Sequence, residues 1–287
     1  MQIKLFNTTV LPILTYGCEV WGLGKASPLD VLHLSFLKSL LKVKTTTPNC
    51  FVYGELGVFP LSIERQVRII KFWLKIISVG MVGDNFTGIV YRELFNLSLL
   101  QPNFVTWCTK IRDLLNMTGF GNVWLDQYVQ DEREFVYIFR QRVTDMYLQE
   151  WSANISLTSK NRIFPNIKTR FCFEPYLDMN NSCLRVAVSR IRLSSHMFLI
   201  ERGRWGKKRI DIEMRKCTVC NVLEDEFHVL IECPKYKNQR RNCLPDNLKV
   251  KPSMFSFINY IKSEDMVVQK QLALLCYRIQ KEYRKNI

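Results

Sequence analysis

Cysteine and histidine are concentrated in one short stretch of this chain, with the spacing C-x2-C-x7-H-x4-C over Cys217, Cys220, His228 and Cys233. Three thiolates and one imidazole can complete a tetrahedral shell around Zn2+. Because a complete shell has no open position for water, zinc in such a site stabilises the fold and does not catalyse a reaction. Cys243 could replace Cys233 over a longer gap, and ordinary reduced cysteines are the alternative. The motif predicts a small loop folded around structural zinc.

Composition narrows the class of protein and its compartment. Hydrophobic residues make up 47% of the 287 residues, which is typical of a globular chain long enough for two or more domains. No apolar run reaches the roughly 18 residues of a membrane-spanning helix, and the N-terminus lacks a convincing signal peptide. Ten cysteines in such a chain indicate a reducing compartment. We therefore expect an intracellular protein, nuclear or cytoplasmic, that is not secreted.

A strongly basic stretch lies just before the cysteine motif. Between residues 185 and 209 it has eight basic residues and a single acid, Glu201. Arginine forks, flexible glycines and the aromatic ring of Trp205 suit phosphates and unstacked bases. A solvated helix face is the simpler interpretation of a charge run, but the neighbouring motif and the net charge of +15 favour nucleic acid as the partner. The basic residues are Arg185, Arg190, Arg192, Arg202, Arg204, Lys207, Lys208 and Arg209.

Apolar residues recur at helical spacing along most of the chain, so we predict a mainly α fold. Helices are expected over residues 2–16, after Ser27-Pro28, from Ser62, over 131–151, over 184–200 and within 255–283. A loop is predicted for residues 45–60, and no regular structure is assigned to 161–178. The predicted domains are a three-helix bundle (1–82), a helical linker domain (83–183), a basic helix with the cysteine motif (184–245) and C-terminal helices (246–287).

Two of these helices carry specific expectations about their faces. The helix from Ser62 alternates apolar residues with basic ones, and the helix over 184–200 is expected to keep its arginines at or beyond the edge of its buried stripe. The helix after Ser27-Pro28 is expected to bury one face formed by Leu29, Leu32, Phe36, Leu37 and Leu40.

Two-metal phosphoryl transfer requires clustered carboxylates, and the sequence has two acidic runs to consider. The run Glu224-Asp225-Glu226 lies inside the cysteine motif and is interpreted as a solvated turn. The acids at 131, 132 and 134 begin a helix, where the helix dipole favours negative charge. His33 and His196 have no obvious cysteine or serine partner and are interpreted as core or surface residues. The sequence therefore predicts no catalytic residue.

Several different short segments follow one another in a defined order along the chain. They are residues 5–22, Tyr53-Gly54-Glu55-Leu56-Gly57 with Pro60-Leu61, Gly119-Phe120-Gly121 with Val123-Trp124, residues 173–177, residues 190–196, residues 200–205, the cysteines at 217 and 220, Glu226-Phe227-His228 and Glu232-Cys233-Pro234. In this order and spacing they resemble the C-terminal part of reverse transcriptases from non-LTR (LINE-type) retrotransposons.

The resemblance implies a thumb-like helical bundle, further linker helices and a CCHC zinc knuckle. It also implies that the fingers and the palm, with its paired catalytic aspartates, are missing, so the chain would have no RNA-directed DNA polymerase activity alone. In the family this region helps to grip the RNA template and the DNA target. The residues that would contact nucleic acid here are Arg65, Arg68, Lys71, Lys75, Arg190, Arg192, Arg202, Arg204, Trp205, Lys207, Lys208 and Arg209.

Three other interpretations stay open. The chain could be a zinc-stabilised helical module that binds a protein partner through its basic surface. It could be one part of a split reverse transcriptase that needs a separate palm-bearing polymerase partner. It could also be a genomic relic without a selected role. In the leading hypothesis its partners are RNA, DNA or both, with neither a membrane nor a small-molecule substrate.

Overall fold

The structure, a computed structural model, describes residues 2–24, 27–80, 86–160, 162–205 and 209–285. It is mainly helical, as the sequence predicts. In these ranges extended pairing is limited to two isolated bridges, Leu56 with Phe173 and Lys216 with Leu223. None of the described helices combines the length and the apolar character that crossing a bilayer requires. The predicted domain boundary at 82/83 lies outside the described residues.

Sixteen α-helices are present in the described part of the chain. In chain order they are α1 (Gln2–Leu5), α2 (Leu11–Leu14), α3 (Cys18–Trp21), α4 (Ser27–Leu41), α5 (Asn49–Leu56), α6 (Leu61–Gly80), α7 (Phe86–Leu100), α8 (Trp107–Met117), α9 (Gly121–Asp126), α10 (Glu132–Leu157), α11 (Phe164–Ile167), α12 (Ser182–Arg192), α13 (Leu199–Arg202), α14 (Asp246–Val250), α15 (Met254–Lys262) and α16 (Met266–Lys285). Two π-helical turns (Phe6–Val10 and His228–Glu232) and three short 3-10 turns (Pro175–Asp178, Ile212–Met214 and Pro234–Tyr236) complete the set.

The chain forms two compact units, each built from stretches that are distant in sequence. Unit 1 comprises Met1–His33 and Phe59–Glu150, and unit 2 comprises Leu34–Val58 and Trp151–Ile287. Helices α4 and α10 therefore contribute residues to both units. The four consecutive domains proposed from the sequence stay a prediction.

The core of unit 1 forms around α6, whose apolar side is buried as predicted. Trp73 is fully buried, and its indole N–H donates to the hydroxyl of Tyr91 at 2.9 Å. Helices α7, α8, α9 and α10 contribute the other residues of this cluster. The long helix predicted at 131–151 is confirmed as α10, and the Asp131 carboxylate caps its first turn by accepting from the Glu134 N–H at 3.0 Å.

At the N-terminal end one prediction is confirmed and another needs correction. Residues 2–14 are helical, close to the predicted 2–16, and a π-helical turn interrupts the α-helix just before Pro12, which has no N–H to donate to the preceding turn. In α4 the buried side is formed by His33, Leu37 and Leu41, whereas Leu32 is 44% exposed. The buried face is rotated from the predicted one and includes His33, whose ring stacks on Phe6 with the ring centroids 5.5 Å apart.

The loop predicted over residues 45–60 is wrong, because helix α5 occupies its middle. All six residues from 51 to 56 are buried, including Gly54 and Glu55. A helix covered on every side has no polar face, so it lacks the periodicity by which the sequence reveals surface helices. Gly57, with φ of 60°, ends the helix in the left-handed conformation that glycine tolerates best.

Helix α12 is shorter than the helix predicted over 184–200. It ends at Arg192, and Ser194 then adopts a left-handed conformation with φ of 48°. Helix α12 packs against α16, where the Gln280 amide donates to the Ala187 carbonyl at 2.8 Å. The C-terminal helices predicted within 255–283 are confirmed as α15 and α16. In unit 2, α12 is thus followed by an irregular segment that leads to the cysteine motif.

Candidate metal centre and its basic surroundings

The four predicted ligands converge. The sulfur and ring nitrogen atoms of Cys217, Cys220, His228 and Cys233 all lie within 4.8 Å of one another. The Cys233 sulfur is 3.8 Å from that of Cys217 and 3.9 Å from that of Cys220. Tetrahedral zinc with Zn–S bonds of about 2.3 Å places its sulfur ligands about 3.8 Å apart. The cluster can therefore hold a metal ion with this geometry.

A tight turn presents the first two cysteines. The Cys217 N–H donates to the Val222 carbonyl at 2.7 Å, and the Asn221 N–H donates back to the Cys217 carbonyl at 2.9 Å. Asn221 takes the left-handed conformation, φ 55°, which asparagine tolerates better than most residues. The turn directs the N–H groups of Val219 and Cys220 at the Cys217 sulfur. These amides stabilise a thiolate at Cys217.

A π-helical turn brings His228 and Cys233 to the same side. The Cys233 N–H donates to the His228 carbonyl at 2.8 Å, which closes a wider turn than an α-helix has. In an α-helix, residues five apart point about 140° away from each other. The carbonyl end of this turn is capped by Arg240, which donates to the Leu230 carbonyl at 2.9 Å. The π-helical turn thus lets His228 and Cys233 face the same point, which an α-helical turn would not do.

His228 is oriented as a metal ligand would be. Its side chain is almost fully buried, and Nδ1 lies 3.4 Å from the Glu232 carboxylate. Its other ring nitrogen, Nε2, is buried without a hydrogen-bond partner among the described residues. A histidine that gives one N–H to a carboxylate leaves the other nitrogen's lone pair available to a metal. The orphaned Nε2 is the observation that most favours an ion in this cluster.

The two buried thiols differ in their tendency to ionise. Burial opposes ionisation of Cys217, but hydrogen bonds from the backbone N–H groups of Val219 and Cys220 bring its pKa down to about 7. Burial raises the pKa of Cys233 to about 12. A divalent cation would remove this difference, because it stabilises every thiolate that it binds. Cys243 is not part of the cluster; its sulfur lies 3.4 Å from the Arg278 guanidinium.

The acidic run Glu224-Asp225-Glu226 is not a solvated turn, which corrects the prediction. Glu224 accepts from the Leu199 N–H at 2.8 Å and from the Tyr283 hydroxyl. Asp225 pairs with Arg162 and accepts from the His228 N–H at 2.8 Å. These contacts fasten the metal-ligand loop, residues 217–233 with the four candidate ligands, to the helices of unit 2. They require distant partners, so no local pattern in the sequence announces them.

His196 belongs to the same fastening. Its Nε2 lies 2.9 Å from the Glu226 carboxylate, and its Nδ1 accepts from the Phe198 N–H at 3.2 Å. Because Nδ1 is an acceptor, Nε2 carries the proton that His196 donates to Glu226. Burial disfavours the Glu226 carboxylate, but this hydrogen bond outweighs burial and lowers its pKa. His196 is thus a core residue with a defined partner.

Comparison of the chain with family models, curated proteins and solved structures finds no match. The resemblance to non-LTR reverse transcriptases therefore stays a prediction based on the quoted segments alone. Three of those segments meet in unit 2, where they supply Glu55, Tyr176 and Arg192 to one buried polar network. These three segments, although distant in the sequence, thus share a structural role in this chain.

Arg192 is the centre of that network and is not a surface cation. Its side chain is 2% exposed and lies 2.5 Å from the Glu55 carboxylate and 2.7 Å from that of Glu174. The Tyr176 hydroxyl donates to Glu55 at 2.8 Å, and Lys168 pairs with Glu174. Burial disfavours the charged guanidinium, but the two carboxylates outweigh it and raise the pKa of Arg192. We therefore remove Arg192 from the candidate nucleic-acid contacts.

The basic residues of α6 fall into two groups. Arg65 is buried, 3.1 Å from the Asp30 carboxylate, and Arg68 is partly buried, 3.2 Å from that of Glu19. Lys71 and Lys75 are exposed. Only the two lysines thus keep the accessibility that a nucleic-acid contact requires.

The basic stretch before the cysteine motif is also divided. Arg204 donates to the Glu201 carboxylate at 3.0 Å and to the Ser159 carbonyl at 2.8 Å. The same Glu201 lies 3.2 Å from buried Lys160, whose ammonium is 5.3 Å from the centre of the Trp205 ring. Trp205 is 41% exposed, Arg209 is exposed, and Arg190 and Arg202 are half-buried. The predicted contacts Lys207 and Lys208 lie outside the described residues.

Proposed function

We propose that this chain binds nucleic acid and that residues 217–233 fold around one structural Zn2+. The observation that carries the zinc is the convergence of three sulfurs on a buried imidazole nitrogen that has no other partner in the described structure. Thiolate and imidazole ligands at tetrahedral spacing suit zinc better than magnesium or calcium, which prefer oxygen. The ion would stiffen the loop, and all four positions of its shell would be filled by protein.

Exposed cations around the ligands support nucleic acid as the partner. Lys216 directly precedes the first ligand, and Lys235, Lys237 and Arg241 follow the last one; all four are exposed. A net charge of +15 adds a long-range attraction for polyanions. Such a surface binds mainly the sugar-phosphate backbone, so affinity falls steeply with salt.

The resemblance gives this activity a context. In that context the chain serves as the nucleic-acid-gripping C-terminal part of a non-LTR reverse transcriptase and has no polymerase activity without a palm. RNA-directed DNA synthesis would then require a palm-bearing polymerase chain. Primer extension with the chain alone and with such a partner tests this part of the proposal.

The metal is tested by elemental analysis of protein purified under reducing conditions. We expect one zinc per chain, loss of that zinc in Cys220→Ser, and full zinc content in Cys243→Ser, which removes a buried thiol outside the cluster. Absence of stoichiometric metal from the unmodified protein would overturn the zinc proposal. If Cys243→Ser lost its zinc and Cys220→Ser kept it, the ligand set proposed here would be wrong.

Binding is tested by fluorescence anisotropy with labelled oligonucleotides at several salt concentrations. If about six phosphates are contacted, log affinity falls with log salt at a slope on the order of −4 to −5. We expect chelation of the metal to weaken binding, because the loop and its lysines would lose their fixed arrangement. A flat salt response would contradict nucleic-acid binding and favour a protein partner.

A further inference from the structure

A cleft in unit 2, separate from the metal-ligand loop, lies between α12 and α16 and has a volume of about 460 Å³. Its apolar part is formed by Val186, Ala187 and Tyr277. Its cations come from three separate parts of the chain. They are Lys42, Arg190, Lys281, Arg284 and Lys285. No acidic side chain lines the cleft among the described residues.

The concentration of charge here exceeds what helix capping explains. Cations in the last turn of α16 are expected, because they offset the helix dipole, and Lys285 also lies 3.3 Å from the Glu282 carboxylate. Lys42 and Arg190 come from other elements, and the Arg190 guanidinium donates to the Lys42 carbonyl at 3.2 Å. Burial, followed by the charge of Arg284, lowers the pKa of Arg190. The fold thus holds like charges together at a cost that a bound anion would relieve.

We infer that this cleft binds the backbone of single-stranded nucleic acid. A basic groove with an aromatic side chain is the arrangement that tracks a single strand, because phosphates contact the rim while bases meet apolar and aromatic surface. Tyr277 is partly exposed, and the Lys281 ammonium lies 5.9 Å from the centre of its ring. A base could stack on this ring in place of the lysine or beside it. A duplex is read by elements that protrude into its grooves, whereas this surface is concave. The inference rests on the proposed function and names the surface that performs it.

Two exposed cysteines allow a direct test on the unmodified protein. Cys183 lines the cleft, whereas Cys172 is exposed elsewhere in unit 2. The protein is treated with N-ethylmaleimide, with and without saturating oligo(dT) or oligo(U), and modification of each cysteine is followed by peptide mass spectrometry. We expect several-fold slower modification of Cys183 in the complex and an unchanged rate at Cys172. Equal rates at Cys183 with and without a bound oligonucleotide would overturn the inference.

A charge-reversal pair supplies the second test. Lys281→Glu with Arg284→Glu is compared with Lys249→Glu with Lys251→Glu, which makes the same change in net charge at exposed positions outside the cleft. We expect the cleft variant to weaken oligo(dT) binding on the order of tenfold and to reduce the salt slope by about 1.4, the value for two single-strand phosphates. The control variant should lose much less. Circular dichroism checks folding, and Lys281→Gln with Arg284→Gln replaces the cleft variant if it misfolds.

The outcomes separate this inference from the proposed function. Equal losses in the cleft and control variants would show a general charge effect and overturn the cleft. Salt-sensitive binding by the unmodified protein that the cleft variant retains in full would do the same, while leaving nucleic-acid binding intact. Lack of salt-sensitive binding by the unmodified protein would overturn both. Preference for duplex over oligo(dT) and oligo(U), with Cys183 unprotected, would place binding on another surface.

Discussion

Replacing Arg192 with methionine asks whether this arginine supports the fold or contacts nucleic acid. Its guanidinium is buried between Glu55, which is fully buried, and Glu174, which is 16% exposed. Without it, Glu174 keeps Lys168 as a partner, but among the described residues the Glu55 carboxylate keeps only the Tyr176 hydroxyl. Removing one partner of a buried ion pair costs about 3–5 kcal/mol, and we expect the lower end because only one carboxylate loses its cation.

The assay is urea unfolding followed by circular dichroism. Arg170→Met serves as the matched control, since Arg170 lies 2.9 Å from Glu264 in an ion pair whose side chains are 76% and 72% exposed. An exposed pair contributes at most about 1 kcal/mol, so this variant should unfold close to the unmodified protein. Adding Glu55→Gln to Arg192→Met should restore part of the loss, because the double variant no longer buries an unpaired charge.

A particular pair of results would refute this reasoning. If Arg192→Met unfolds at the same urea concentration as Arg170→Met but binds oligonucleotides markedly more weakly, Arg192 contacts the ligand. The predicted contact from the sequence would then be right and the structural role wrong. Weaker binding that accompanies a lower unfolding midpoint, and that Glu55→Gln partly restores, is the result we expect.

Two further predictions concern unit 1 and helix α5. Burial lowers the pKa of His33 to about 4, below its ordinary 6.5, so the folded state resists protonation of this ring. The free energy of unfolding is therefore highest above pH 6.5 and falls by about 3 kcal/mol as the pH drops to 4. In His33→Leu the unfolding free energy should vary less over this range, and an unchanged pH dependence would exclude His33 as its source. A Cβ at Gly54 would lie 2.6 Å from a Trp151 ring carbon, so Gly54→Ala should cost about 2 kcal/mol in urea unfolding. Gly24→Ala, with open space around its Cβ, is the control, and equal midpoints for the two variants would contradict this packing.

The candidate metal centre could be predicted almost completely from the sequence. Its four ligands lie within one short segment, and the C-x2-C turn and the spacing between His228 and Cys233 restrict where their donor atoms can go. The sequence left Cys243 open as a substitute, and the structure excludes it from the cluster. What escaped prediction was the fastening of this loop, because Glu224, Asp225 and Glu226 find their partners far along the chain.

The helical fold was predictable where one face of a helix meets solvent. Helices α6, α10 and α16 carry that alternation and were expected close to where they occur. Helix α5 was missed because it is buried on every side, and its glycines resemble those of a loop. The end of α12 was misplaced because Ser194 turns the chain for tertiary reasons that no cap residue signals.

The amino-acid sequence by itself determined the metal-ligand loop and the excess of positive charge, since ligand spacing and net charge depend only on residues and their order. Only the tertiary structure decided which cations remain available to a partner. Arg65 and Arg192 look like their exposed neighbours in the sequence, yet each is buried against a carboxylate, Asp30 or Glu55, that is distant along the chain. Packing brings those charges together because burying a cation without a counter-ion or hydrogen-bond acceptors is costly.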